Sequence, residues 1–65
     1  DVLIRVFDVR GRLVKMLVHA AQDAGRHTVV WDGADGGGLP VSSGMYFCRL
    51  EAGDTALTRK MLLVR

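Results

Sequence analysis

Sixty-five residues with a net charge of +2 make one domain at most, and one that buries only about 60% of its unfolded surface. Nine Lys and Arg are interleaved with seven acids, which excludes a basic nucleic-acid stripe, and no apolar run approaches the roughly 20 residues of a membrane-spanning helix. A single cysteine, Cys48, excludes an internal disulfide and any multi-cysteine metal site.

Val2-Leu3-Ile4-Arg5-Val6-Phe7 is rich in β-branched and aromatic residues, the composition of a strand. Val2, Ile4 and Val6 share one face; Leu3, Arg5 and Phe7 share the other, which is half apolar and so expected to be partly covered. Asp8-Val9-Arg10-Gly11 reads as a turn, with Asp bonding the backbone ahead and Gly accepting a positive φ. Arg12 to Val18 then returns as the second arm of a hairpin. Its apolar residues Leu13, Val14, Met16, Leu17 and Val18 do not alternate cleanly, which predicts a bulge or a short helical turn near Lys15.

His19 to Gly25 is a connection. Arg26 to Trp31 alternates as a strand, with His27, Val29 and Trp31 on one face. A Gly/Asp-rich loop follows, from Asp32 to Ser43. Met45 to Glu51 is a further strand, Ala52-Gly53-Asp54 a tight turn, and Thr55 to Val64 the last strand. About five strands joined by hairpins and loops, with no amphipathic helix, predict an all-β antiparallel fold, and the turn spacing suits a sandwich. The expected core is Ile4, Val6, Leu13, Val29, Trp31, Tyr46, Cys48, Leu50 and Leu62, with Trp31 contributing most. The chain opens at Asp1 directly into a strand, without Met, and is read as a piece of a longer polypeptide forming a single domain over residues 1–65.

The residues that could carry chemistry read more simply as structure. Gly36-Gly37-Gly38 is followed by Leu39-Pro40-Val41, not by the helix and Lys-Ser/Thr of a phosphate loop, so it is a connector. Asp32 and Asp35 lack the alternating ligands and closing Glu of a calcium loop; calcium is not expected, and Asp32 is expected to bond amides of its own turn. His19 and His27 have no carboxylate at a readable spacing. Cys48 sits within a strand where nothing would lower its pKa. Ser42-Ser43-Gly44 lacks the frame of a nucleophile elbow. Trp31 and Tyr46 could form a sugar-stacking platform, but core or corner roles fit two lone aromatics better. No catalytic residues, metal ligands or cofactors are expected, and the chain is not read as an enzyme.

Four segments taken in order carry a family resemblance. They are Val6 to Val14, Ala24 to Gly33, Val41 to Phe47 and Lys60 to Val64. Together they resemble the C-terminal Ig-like domain of the flagellar hook-capping protein and the C-terminal sorting domains of the type IX secretion system. The resemblance implies a small antiparallel Ig-like β-sandwich that lacks the family's first strand. It further implies a secreted or cell-surface bacterial protein reached through the periplasm.

The function expected first is a non-catalytic C-terminal sorting or anchoring module recognised by secretion machinery. The alternatives are a structural assembly domain of the hook-cap type and a carbohydrate-binding accessory module. In any of these, Trp31, Asp32, Gly33, Gly44 and Tyr46 shape the structural loop. The partner is expected to be a protein, neither nucleic acid nor membrane, met through folded shape and strand edge, with Arg59, Lys60 and Arg65 guiding it electrostatically.

Overall fold

A computed structural model of the chain describes residues 2–20 and 30–64, His19 and Ala20 by backbone only. The described residues form four strands and no helix: β1 (Val2–Phe7), β2 (Leu13–Ala20), β3 (Gly44–Ala52) and β4 (Thr55–Leu63). All pairings are antiparallel in one sheet of order β2-β1-β3-β4. The fold is all-β, as expected, and fits part of a small Ig-like sandwich. Most of the segment expected as a fifth strand, Arg26 to Trp31, lies outside the described residues, including His27 and Val29. Val30 and Trp31 are described, and neither is in a strand.

Register sorts the side chains onto two faces. Val2, Ile4 and Val6 lie opposite Ala52, Leu50 and Cys48, and the latter two lie opposite Leu57 and Arg59; Tyr46 lies opposite Met61. This inner face holds the buried apolar residues Ile4, Val6 and Tyr46, with Val6 at 0% exposure. Trp31 reaches the same face and is part-buried, so it borders the core, whereas the sequence suggests that it dominates it. Cys48 and Leu50 are likewise half-buried. The outer face carries Leu3, Arg5 and Phe7, opposite Glu51, Arg49 and Phe47.

Two expected core residues are corrected by this register. Leu13 pairs with Phe7 on the outer face and is 53% exposed; Leu62 pairs with Met45 on the same face and is 73% exposed. Leu13 turns outward because the Asp8–Arg12 turn sets it opposite Phe7, an outer-face residue of β1. The β1–β2 ladder skips Val14 and Leu17, with shifts on either side of the Arg5–Met16 and Val6–Lys15 pairs. The two extra residues cancel in parity: they reverse the alternation only for Lys15 and Met16 between them and leave Leu13 facing outward. The bulges explain why the apolar residues of β2 fail to alternate. In β4 the run Met61-Leu62-Leu63 is apolar on both sides, and only the pairing of Met61 with Tyr46 decides which side is inner.

The turns follow from their residues. In the β1–β2 turn the Asp8 carboxylate accepts from the amides of Arg10 and Arg12, both at 2.9 Å, and Asp8 and Arg12 close the turn through backbone bonds. Gly11 sits at φ +83°, a conformation that L side chains rarely adopt. The β3–β4 turn is a two-residue loop with Gly53 first, at φ +58°, as a tight hairpin of the II′ kind requires.

Candidate functional site

The loop between Trp31 and Gly44 is a built object. Ala34 and Pro40 form an isolated antiparallel bridge, and backbone bonds join Asp35 N to Leu39 O, Gly38 N to Asp35 O, and Val41 N to Gly33 O. Inside it, the Asp35 carboxylate accepts from the amides of Gly37 (2.9 Å) and Leu39 (3.0 Å). The triple glycine expected as a plain connector is therefore the tip of a small hairpin. Its Gly36 amide donates to the Val14 carbonyl at 3.0 Å, docking the loop on the bulged β2 strand.

Asp32 bonds the amide of Ala34 at 3.0 Å, within its own turn, and pairs with Lys15 at 3.5 Å. The amide bond is the main cause that holds the Asp32 carboxyl below its ordinary pKa, with the Lys15 charge adding to it. Gly33, at φ +77°, is buried.

Trp31 and Tyr46 meet edge to face, with centroids 5.0 Å apart and planes at 66°. Trp31 Nε1 donates to Ala34 O at 2.8 Å, and Tyr46 Oη donates to Ser42 O at 2.7 Å. The second bond runs four residues back along the chain from the start of a strand, the geometry of the tyrosine corner of Ig-like sandwiches. Both rings are thus turned to each other and to the backbone. They do not offer the pair of open, parallel faces on which a sugar stacks. Gly44 opens β3 at φ +152°.

Beside this corner the inner face holds a depression among the described residues. It is lined by Ile4, Leu17, Trp31, Cys48, Leu50, Leu57, Arg59 and Met61 and measures about 340 Å³. Burial against these neighbours pushes the Cys48 thiol above its ordinary pKa, which keeps it protonated and weakly reactive at neutral pH. Leu57, at the rim, is 54% exposed.

The expected recognition residues lie on β4 at the margin of this depression. Arg59 faces it from the inner side, opposite Cys48; Lys60 projects on the outer side, opposite Phe47. They flank one strand edge and do not share a patch. Arg65 lies outside the described residues. Along the outer edge of β4, no backbone hydrogen bond is made among the described residues, whereas the β2 edge is met by Gly36.

One group on the outer face cannot be read whole from sequence. Arg5 and Arg49 stand directly opposite each other on β1 and β3, a like-charge pair that by itself destabilises a sheet. Glu51 resolves it, with its Oε1 accepting from Arg49 Nε (2.6 Å) and Arg5 Nη2 (2.5 Å). The Arg49 bond is the first cause that lowers the Glu51 pKa. Arg5 also lies 5.2 Å from the centre of the Phe7 ring. Arg49 and Glu51 stand two apart on β3 and so share a face, whereas only the cross-strand register brings Arg5 to them.

Against known families, the model of the FlgD Ig-like domain matches residues 1–56, most of the chain. The chain belongs to the FlgD Ig-like domain family. The match runs through β1, β2 and β3 and ends at the start of β4, one residue short of Leu57. No curated protein and no solved structure matches the chain. The hook-cap side of the resemblance is thereby established at the level of family, and the type IX sorting side gains no support.

Proposed function

We propose that this FlgD Ig-like domain is a non-catalytic assembly module of the hook-cap kind, which acts by holding a protein partner against its sheet. The observation that carries this reading is β4, a nine-residue strand whose outer edge has no backbone partner among the described residues. Unpaired strand edges are templates for pairing with another chain, and an apolar depression beside one adds contact area. The family match supports the hook-cap setting over sorting, the function expected first from the sequence.

The test is deletion of this domain from its parent polypeptide in the native cell. Two things are then measured: where the parent accumulates, and whether it still enters its assembly. The assembly role predicts a parent that is exported normally but is lost from the assembled structure. A parent retained in the periplasm would overturn that role and favour sorting.

A further inference from the structure

The two edges of the sheet are treated differently. On β2, two bulges break the ladder and the Gly36 amide occupies the Val14 carbonyl. Bulges and covering loops are the usual means by which proteins blunt an edge. Among the described residues, strand β4 has neither. Its pairing with β3 runs without a shift from Ala52–Thr55 to Gly44–Leu63, so it presents a regular, extended ladder to solvent.

Its charge is one-sided. Between Thr55 and Leu63 the strand carries Arg59 and Lys60 and no acid, and neither cation forms an ion pair among the described residues. A second copy of this chain is a poor occupant. Full antiparallel overlap of two β4 strands centres on position 59 and sets Arg59 against Arg59, and like charges directly opposite are destabilising. A strand of opposite charge meets no such penalty.

From this we infer that the β4 edge takes an extended acidic segment of a partner protein as an added strand, an inference that rests on the assembly reading above and names the partner's chemistry. Backbone bonds along the edge supply affinity, and the side chains supply choice. Because Arg59 and Lys60 are consecutive, the partner carries two consecutive acids, one turned to each face. Its remaining inner-face residues are apolar and extend the wall formed by Leu57 and Met61 over the depression.

The experiment titrates the isotope-labelled chain with two synthetic peptides and follows its amide resonances. One peptide alternates Val and Thr around a central Glu-Glu; the other has Lys-Lys in its place. The expected result is perturbation centred on β4, with the Glu peptide binding at least about fivefold more tightly, the scale of two exposed ion pairs gained against two repulsions. That preference should shrink in high salt and reverse in the double variant Arg59→Glu, Lys60→Glu. Equal binding of the two peptides, or perturbation centred on β2, would overturn the inference. The salt series on the unaltered chain decides the matter even if the double variant fails to fold. Because the peptide titration does not depend on the parent's assembly, a failed deletion test would remove the assembly role, and a failed titration only the acidic strand.

Discussion

Tyr46 does two jobs at once. Its ring is enclosed on the inner face, and its hydroxyl ties the start of β3 to Ser42 at 2.7 Å. Removing the hydroxyl alone separates them: Tyr46→Phe keeps the packing and should cost about 1 kcal/mol, the usual net worth of one such bond. Trp31 is part-buried, so Trp31→Ala should fall at the lower end of the range for aromatic truncations, about 3 kcal/mol. In a domain this small that is a large part of the total stability. Urea denaturation of the two variants checks the order. If Trp31→Ala costs no more than Tyr46→Phe, the Trp31 ring does not close the corner.

At the level of strands and turns, three carboxylates hold the chain's connections: Asp8 in the β1–β2 turn, Asp32 in the loop, and Glu51 between Arg5 and Arg49. All three have pKa values lowered by the groups that bond them, first the Arg12 amide, the Ala34 amide and the Arg49 guanidinium respectively. A carboxyl whose folded pKa is depressed contributes stability that is present above its unfolded pKa and is lost as pH falls through the folded one. The domain should therefore hold its melting temperature near neutral pH and lose it progressively below the ordinary carboxylate range. Asp32 is exposed and Asp8 and Glu51 are partly so, and water therefore screens the individual contributions and keeps them small. Thermal melts across an acid series check this, with Glu51→Gln expected to lower the neutral-pH value and flatten the acid slope. A melting temperature that rises on acidification would contradict the electrostatic account.

Elements that depend on local chemistry alone are legible in the sequence: strand β1, the Asp8–Gly11 turn and the Gly53-Asp54 hairpin. The broken alternation of β2 points correctly to bulging. It cannot place the bulges at Val14 and Leu17, because those positions depend on which residues of β1 lie opposite. The Leu13 side chain is turned outward by its pairing with Phe7 across the turn, which an unevenly alternating apolar run does not reveal. Leu62 differs for another reason: its neighbours are apolar on both sides, and a period-2 pattern without contrast carries no register. At the candidate site, the pairing of Trp31 and Tyr46 as a corner is readable from their places at the ends of the loop. Of the Arg5–Glu51–Arg49 group, the i,i+2 pair Arg49 and Glu51 is readable and Arg5 is not, since it lies 46 positions from Glu51.

For the whole molecule, the central proposal is that the β4 edge, which has no backbone partner among the described residues, is completed by a strand of a partner protein. In an antiparallel edge strand, successive amides alternate between the neighbouring strand and the outside. Amide hydrogen exchange reports on this residue by residue. In the isolated domain, alternate amides between Thr55 and Leu63 should exchange rapidly while those bonded to β3 are protected. Measured again on the parent protein in its assembled state, those rapid amides should become protected, with the amides of β1 changing little. Rapid exchange at the same β4 positions in both states would contradict the claim that this edge is where the domain meets its partner.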